Sequence, residues 1–265
     1  MFIDSHCHLD KLDLKDYNES FDAMLMAAKA QQVAKMLCVN IDLENFADMY
    51  QLIANYPQVD ASMGVHPLHV KAAEDVASVE QLITLANSHE KVVAIGETGL
   101  DYFYDANSKA VQQQSFINHL QAANALQLPV IVHTREARAD TIELIAAHSG
   151  KSAGVLHCFT ESLEMAEQAI ELGYKISISG IVTFKNATQL QDVVKQLPLE
   201  HLLIETDSPY LAPIPYRGKQ NQPKYVVEVA HCVAQLKGVS VAEVAKITSE
   251  NYYSLFSKST VSTLN

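Results

Sequence analysis

The segment FIDSHCHLD, residues 2–10, begins as a short apolar run and ends in ionisable side chains. Similar runs, rich in β-branched residues, recur along the chain and alternate with longer segments of helical character, which is typical of βαβ units and a parallel sheet. The pattern predicts eight strands, at residues 2–8, 34–40, 59–65, 92–97, 129–133, 154–157, 174–179 and 202–207. Predicted helices between them include residues 19–32, 79–89, 112–126 and 163–172.

Eight strand–helix units within 265 residues fit a closed barrel better than an open, doubly wound sheet. The predicted fold is therefore α/β, a (β/α)8 TIM-type barrel. Single barrels commonly reach this length, so we expect a single domain that spans residues 1–265.

The composition limits the partners and the compartment. The net charge of −12 argues against a broad electrostatic footprint on duplex nucleic acid, so any contact with nucleic acid should be local. The sequence lacks an apolar stretch of membrane-spanning length, and its start lacks the regions of a signal peptide. We expect a cytoplasmic protein with no membrane contact and no obligate protein partner.

The cysteines are scattered singly, without a CxxC pair, so the sequence suggests neither a disulfide framework nor a thiolate zinc site. We interpret them as small buried hydrophobic residues, and they are Cys7, Cys38, Cys158 and Cys232.

Six histidines and acids share one placement, at the end of a predicted strand, where active sites of barrels form. They are His6, His8, Glu97, His133, His157 and Asp207. Because side chains alternate along a strand, His6 and His8 should point to one face and Cys7 to the other. The two histidines can therefore bind one metal ion.

Imidazole and carboxylate ligands suit zinc, manganese, iron or magnesium, so the ligand types leave the identity of the metal open. One catalytic zinc usually takes three protein ligands, and six exceed that need. The surplus indicates two divalent ions, Mg, Mn or Zn, that share Glu97. Two ions roughly 4 Å apart can neutralise the charge on a phosphodiester and activate water, which favours hydrolysis as the reaction.

The segments that contain these residues resemble the TatD family of metal-dependent nucleases, and the resemblance runs nearly from end to end. It comprises DSHCHLD at 4–10, GVHP at 64–67, GETGLDY at 96–102, VHTR at 132–135, LHCFT at 156–160, SGIVTFKN at 179–186, ETDSPYLAP at 205–213 and RGKQNQP at 217–223.

The resemblance implies a metal-dependent DNase, often a 3′ to 5′ exonuclease, on a TIM-type barrel. By motif, His6, His8 and Asp207 would bind the first metal, His133 and His157 the second, and Glu97 would bridge both. His66 of the GVHP segment would be a substrate-binding or catalytic histidine. Asp207 would also orient the nucleophilic water or accept its proton.

Two departures from the family pattern are visible. Glu161 replaces the small residue that often follows HCFT, and its carboxylate should repel an anionic strand. The usual Asn-Pro near the C-terminus is Asn251-Tyr252 here, a change that we expect to affect only helix packing.

Several further residues are candidates for substrate binding. We predict phosphate contacts for Arg135 and Arg217, because their loops follow the fifth and eighth strands. Tyr102 is a candidate for stacking on a base, with packing as its alternative role. Phe103 and Tyr104 are weaker candidates for stacking on a base than Tyr102. We expect Lys185, Lys219 and Lys224 to be solvated surface residues.

The leading hypothesis is a divalent-metal-dependent phosphodiester hydrolase that acts as a 3′ to 5′ exodeoxyribonuclease on single-stranded DNA, with RNA as a further substrate. The first alternative is a metal hydrolase of a small amide, ester or phosphoester, since a fold does not fix a substrate. The second is a non-catalytic metal-binding scaffold. Glu97, in place of a lysine that could be carboxylated, favours the nuclease, and the complete ligand set argues against the scaffold.

Overall fold

The computed structural model describes residues 1–259, and its eight strands form one parallel sheet in chain order. The strands are β1 Phe2–Cys7, β2 Val33–Cys38, β3 Val59–Met63, β4 Val92–Asp101, β5 Val130–Arg135, β6 Gly154–Leu156, β7 Tyr174–Ile178 and β8 Leu202–Ile204. The last strand returns to the first, since the amide of His8 donates to the carbonyl of Ser208 (2.7 Å) and that of Asp207 to the carbonyl of His6 (2.9 Å). The predicted TIM-type barrel is confirmed. The predicted domain also includes residues 260–265, which lie outside the described residues.

Helices surround the sheet. Within residues 1–259 there are nine α-helices: α1 Phe21–Ala30, α2 Phe46–Ile53, α3 Val79–Asn87, α4 Lys109–Leu126, α5 Arg138–His148, α6 Leu163–Glu171, α7 Thr188–Gln196, α8 Val226–Lys237 and α9 Val241–Leu255. Short 3-10 helices lie at Leu9–Lys11, Lys15–Tyr17, Pro67–His69, Ala73–Asp75, Gly180–Thr183, Leu199–His201 and Pro223–Tyr225. None of the helices in this part of the chain combines the length and apolar character needed to cross a bilayer.

Serine caps fix the starts of four helices. The hydroxyl oxygens of Ser20, Ser78, Ser162 and Ser240 each accept a backbone N–H from the first turn of the helix that follows. Such a cap contributes about 1 kcal/mol. The caps define where each loop ends, and therefore how the chain enters the helix that returns it to the next strand.

Two apolar cores lie on the two faces of the sheet. The larger core contains alternate strand residues such as Met36 and Val132, together with helix residues such as Phe116. The neighbouring strand residues, such as Leu37 and Ile131, belong to a smaller core. Because side chains alternate along a strand, the first set faces the helices and the second fills the barrel.

We call the end of the barrel at the N-terminal ends of the strands the floor, and the opposite end the mouth. Tyr252 of α9 packs into the inner core at the floor. Its hydroxyl donates to Oδ2 of Asp60 (2.9 Å). The side-chain amide of Asn251 donates to the carbonyls of Leu199 (2.9 Å) and Leu202 (2.8 Å). The Asn251-Tyr252 pair thus serves helix packing, as we expected.

Two strands contain an extra residue just before the mouth. The pairing of β1 with β2 shifts between Asp4 and Cys7, and that of β4 with β5 shifts between Ile95 and Thr98. A bulge re-aims the side chains that follow it. Glu97 and His6 lie at these irregularities, and His8 follows directly after β1.

The strand boundaries differ from the prediction mainly at the mouth. The predicted end of the fourth strand at Glu97 is wrong, because β4 continues to Asp101 and pairs with β5 as far as Arg135. Conversely, β6 ends at Leu156 and β8 at Ile204, before the ionisable residues that the prediction included. The apolar runs predict the positions of the strands well. The ends of the strands at the polar mouth depend on hydrogen bonds that the apolar pattern does not report.

Candidate metal centre

Glu97 lies at the middle of the mouth, and its side chain is only 3% exposed. Its two carboxylate oxygens face different histidines. Oε2 lies 3.4 Å from Nε2 of His6 and 3.9 Å from Nε2 of His8. Oε1 lies 2.8 Å from Nε2 of His157 and 3.5 Å from Nδ1 of His133. One carboxylate therefore stands between two groups of imidazoles.

Asp207 completes the group around the first strand. Its Oδ1 lies 3.4 Å from Nε2 of His8 and 3.7 Å from Nε2 of His6. The backbone of Asp207 is left-handed, with φ 56°, a conformation that few non-glycine residues adopt. The hydrogen bond from its amide to His6 holds this turn against β1. The six residues that we predicted from their strand-end placement thus lie around one centre.

Outer partners fix which nitrogen of each histidine faces Glu97. Nδ1–H of His8 donates to the carbonyl of Val39 (2.9 Å), and Nε2–H of His133 donates to Oδ2 of Asp101 (3.0 Å). An acceptor on the outer nitrogen keeps the proton there and leaves a lone pair on the inner nitrogen. These histidines therefore present ligand atoms to the centre.

His157 follows the same arrangement with a different acid. Oε1 of the fully buried Glu205 lies 3.4 Å from Nδ1 of His157 and accepts the amide of Cys158 (2.8 Å). Burial opposes the charge of His157, but Glu97 and Glu205 raise its pKa well above the usual value, so a metal ion at Nε2, which faces Glu97, would displace a proton there.

His66 differs from these histidines, although its Nε2 lies 3.4 Å from Oε1 of Glu97. Its Nδ1 accepts the backbone N–H of Leu68 (3.1 Å) and so carries no proton. Burial holds the pKa of His66 down to about 3, so the imidazole is neutral. The remaining proton is on Nε2, which makes His66 a hydrogen-bond donor toward the centre rather than a metal ligand.

The electrostatics keep the carboxylates ionised. Burial disfavours the charge of Glu97, but the surrounding histidines, His157 first among them, outweigh burial and hold the pKa of Glu97 well below its usual value. Burial also opposes the charge of Asp207, and the contacts with His8 and His6 nevertheless lower its pKa. Ionised carboxylates with inward imidazole lone pairs form a donor set that fits divalent ions such as zinc or manganese.

Three sets of ionisable side chains have donor atoms close enough to share an ion. They are His6, His8 and Glu97; His66, Glu97 and His133; and His6, His157 and Glu205. Glu97 belongs to two of these sets and His6 to two, so the sets overlap at one centre. The geometry thus supports metal binding at the mouth.

Sequence reasoning missed three acids at the mouth: Asp101 and Glu205, which orient histidines, and Asp4. Asp4 accepts the amide (2.8 Å) and the hydroxyl (2.6 Å) of Thr206, and so fastens β1 to the segment after β8. Burial raises the pKa of Asp4 to about 8. All three acids stand in the motif segments DSHCHLD, GETGLDY and ETDSPYLAP, which was the available signal.

A cleft of about 630 Å³ opens over the centre. Its lining includes the centre itself together with His66, Arg135, Tyr104, Tyr210 and Leu211. The guanidinium of Arg135 lies over the ring of Tyr104, 4.6 Å from its centroid. The basic residue that we predicted after the fifth strand is therefore placed to meet a substrate.

Two predicted substrate residues lie outside this lining. The hydroxyl of Tyr102 donates to Oδ2 of Asp140 (2.8 Å), and the ring packs against the outer core, as the alternative packing role requires. The guanidinium of Arg217 lies 4.0 Å from the ring centroid of Phe184.

Glu161 forms an ion pair with Arg138, so its charge is compensated within the protein and the expected repulsion of an anionic strand is weakened. Lys185 and Lys219 are exposed, as solvated surface residues should be, whereas Lys224 is partly buried. Of the cysteines, Cys7 and Cys38 are buried as expected, while Cys158 and Cys232 are partly exposed.

A family model described as TatD related DNase matches residues 3–257. The chain is 49% identical over 255 residues to the uncharacterized metal-dependent hydrolase YcfH of Escherichia coli K12, covering 96% of this chain and 95% of that protein. It is 32% identical over 254 residues to the uncharacterized metal-dependent hydrolase TatD of Mycobacterium tuberculosis, covering 94% and 95%. The crystal structure of the TatD homologue YjjV from E. coli K12 superposes with a TM-score of 0.87 at 33% identity, covering 97% of this chain and 98% of that chain.

Proposed function

The chain belongs to the TatD-related DNase family of metal-dependent hydrolases, and from this premise we propose that it is a two-metal exodeoxyribonuclease. Its substrate would be the 3′ end of single-stranded DNA, with RNA as a further substrate. The reaction is hydrolysis of the last phosphodiester bond, which releases a nucleoside 5′-monophosphate and leaves a 3′-hydroxyl on the shortened strand.

The observation that carries this proposal is the position of Glu97 between two histidine groups. In the proposed centre His6, His8 and Asp207 would hold one ion, His133 and His157 would hold the other, and Glu97 would contribute to both. Divalent ions held there would supply Lewis-acid stabilisation of the negative charge on a phosphoryl group. A single structural ion would need neither both oxygens of Glu97 nor an ionised Asp207 in an open cleft.

The chain's own residues supply the remaining chemistry. Asp207 is ionised, and its side chain is 13% exposed at the cleft, so it can accept the proton of the attacking water as the oxygen bonds to phosphorus. The bond from phosphorus to the 3′ oxygen of the preceding nucleotide then breaks. Nε2–H of His66 donates a hydrogen bond to a phosphoryl oxygen, and Arg135 contributes positive charge at the edge of the cleft.

The cleft favours a chain end over a duplex. Its volume of about 630 Å³ lies within the range of roughly 300–1,000 Å³ that small-molecule sites occupy. Arg135 is the one basic side chain of the Lys and Arg type among the described residues that line it. With a net charge of −12, the protein lacks the broad basic surface that duplex binding requires.

The test is turnover of labelled single-stranded DNA by metal-stripped protein that is resupplied with magnesium, manganese or zinc. We expect stepwise shortening from the 3′ end of a 5′-labelled strand, and no shortening with Glu97→Gln. A circular single strand should remain intact, and its rapid cutting would exclude an obligate exonuclease. Turnover of an RNA strand of the same sequence would measure the preference for deoxyribose over ribose.

The volume of the cleft also suits a small amide, ester or phosphoester, the first alternative that the sequence left open. This alternative is tested in the same assay. Turnover of a small ester or lactam, without cutting of any nucleic acid under any of the three metals, would replace the nuclease proposal. Metal binding without turnover of any of these compounds would favour the non-catalytic scaffold.

A further inference from the structure

Two tyrosines stand exposed on the cleft. Tyr104 is 63% exposed and Tyr210 is 53% exposed, although both line the cavity above the metal centre. Large aromatic side chains are usually buried, and exposed aromatic surface at a cleft is typical of a binding site. Within residues 1–259, neither phenol forms a hydrogen bond, in contrast to the hydroxyls of Tyr102 and Tyr252. Their hydroxyls are therefore free for a ligand.

Each tyrosine is fixed beside a different half of the centre. The amide of Tyr210 donates to the carbonyl of Asp207 (2.9 Å), and its ring lies edge-on to that of His8, with 6.0 Å between centroids. The amide of Tyr104 donates to Oδ1 of Asp101 (2.9 Å), whose other oxygen accepts from His133. The two rings thus flank the two groups of imidazoles that Glu97 separates.

The ring of Tyr104 is also held in place. The guanidinium of Arg135 lies 4.6 Å from its centroid, and Phe103 contacts it edge-on with 4.9 Å between centroids. A cation over an aromatic ring contributes about 0.5–1 kcal/mol at exposed sites. The ring is therefore oriented before a ligand arrives, and the cost of ordering it on binding is reduced.

We propose that Tyr104 and Tyr210 form a base-binding subsite that stacks the nucleobases on either side of the scissile phosphate. This inference rests on the proposed function and names its substrate class, strands whose end bases are unstacked. Stacking tolerates every base, since every base has a π-face, so the subsite selects single strands without selecting sequence. Bases within a duplex already stack on their neighbours and cannot enter between protein rings without first unpairing.

The experiment compares two oligonucleotides, one with ordinary nucleotides at its 3′ end and one with two abasic residues there. For Tyr104→Ala and Tyr210→Ala, we expect KM for the ordinary strand to rise roughly 5- to 150-fold, which corresponds to about 1–3 kcal/mol per stacked base. KM for the abasic strand should change less than about twofold, because it has no base to stack. Tyr104→Phe and Tyr210→Phe keep the ring and should restore KM for the ordinary strand.

Met26→Ala is the matched control, since Met26 of α1 is 63% exposed, does not line the cleft and contacts neither tyrosine ring. It should leave both values of KM unchanged. Equal losses on the two strands in the alanine variants would overturn the inference, because the tyrosines would then act through the centre rather than through bases. No loss on either strand would overturn it as well.

A binding measurement separates this inference from the proposed function. In magnesium, the wild-type protein should bind thymidine 5′-monophosphate more tightly than deoxyribose 5-phosphate, and the alanine variants should lose that difference. If DNA is cut but the difference is absent, the subsite is refuted and the nuclease stands. If the difference is present but no DNA is cut, the nuclease is refuted and the base-binding subsite stands.

Discussion

The floor and the mouth of the barrel both bury charged side chains, but they satisfy them differently. At the floor, Nζ of the fully buried Lys35 lies 3.1 Å from Oδ1 of Asp60, and the hydroxyl of Tyr252 donates to the other oxygen. At the mouth, Nδ1 of His6 and Oε2 of Glu205 are buried without a hydrogen-bond partner in the described part of the chain. Buried polar groups usually find partners, so the groups at the mouth indicate function rather than stability.

At the floor a buried cation contacts a carboxylate, whereas at the mouth carboxylate oxygens and imidazole nitrogens, all possible metal ligands, face one another. Five imidazoles lie within 4 Å of the carboxylates of Glu97 or Asp207, and those with outer acceptors present lone pairs inward. Lone pairs that converge in a buried space repel one another unless a cation comes between them. The comparison therefore predicts that substitutions at the floor change stability, whereas those at the mouth change metal binding and turnover.

The largest expected effect belongs to Glu97. Glu97→Gln keeps the shape of the side chain but removes the charge that both halves of the centre share. We expect kcat/KM to fall by more than the roughly 10²–10³-fold that loss of a single electrostatic contact costs, with metal content reduced at both positions.

Arg217→Ala is the control for that variant, because Arg217 packs over Phe184 outside the cleft. It should lower kcat/KM by less than about tenfold. Metal content is measured by elemental analysis and folding by circular dichroism. Equal losses of activity in the two variants would remove the special role of Glu97.

The next effect is at the floor. Asp60→Asn leaves the buried Lys35 without its carboxylate, and breaking such a pair costs about 3–5 kcal/mol of unfolding free energy. Asp192→Asn breaks an exposed pair with Lys195 and should leave the denaturation midpoint nearly unchanged. Chemical denaturation measures both. Turnover per folded molecule should stay at the wild-type value in Asp60→Asn, and its loss would show that floor and mouth are coupled.

The sequence predicted the barrel because apolar runs and alternation report burial, and burial determines the architecture. The ends of the strands were less accurate. The extra residues in β1 and β4 change which side chains face inward, and no local pattern in the sequence identifies a bulge. His6 and His8 were nevertheless predicted together, because two residues two positions apart stay on one face beyond the irregularity.

The site was predicted less completely than the fold. Residues at strand ends could be identified from placement, but the outer acids Asp101 and Glu205 act through contacts with His133 and His157 that only the folded chain defines. The surroundings of neighbouring aromatic residues could not be told apart for the same reason. Tyr102 and Tyr104 differ by two positions in one loop, and the contact with Asp140, on α5, decides which of them packs inward.

A smaller effect separates the ligand histidines from His66. Asp101→Asn removes the acceptor that orients His133, and loss of such a partner typically weakens metal affinity by 10- to 100-fold. The midpoint of activity against metal concentration should shift by that factor, while activity at saturating metal recovers. Asp105→Asn, which breaks an ion pair with Lys71 near the same loop, is the matched control and should not shift the midpoint.

His66→Ala completes that comparison. If Nε2 of His66 is a donor, its removal should lower kcat while metal content and the metal midpoint stay unchanged. Loss of one ion per chain in His66→Ala would instead place His66 among the ligands. The assignment of donors and lone pairs at the mouth would then be wrong.

The smallest expected effect is the salt dependence of single-strand binding, which reflects one basic residue at the mouth of an otherwise acidic protein. The acidic surface offers nucleic acid little beyond Arg135, so we expect contact with about two phosphates at a time. For a single strand each phosphate contact contributes about −0.7 to the slope of log affinity against log salt, so raising salt from about 50 to 200 mM should weaken binding roughly 5- to 20-fold. A protein with six to ten contacts would lose roughly 10³–10⁵-fold over the same range. Arg135→Ala should reduce the slope by about 0.7, while Arg217→Ala should leave it unchanged. A steep slope in the wild type, retained in Arg135→Ala, would mean that a surface beyond the cleft binds the strand.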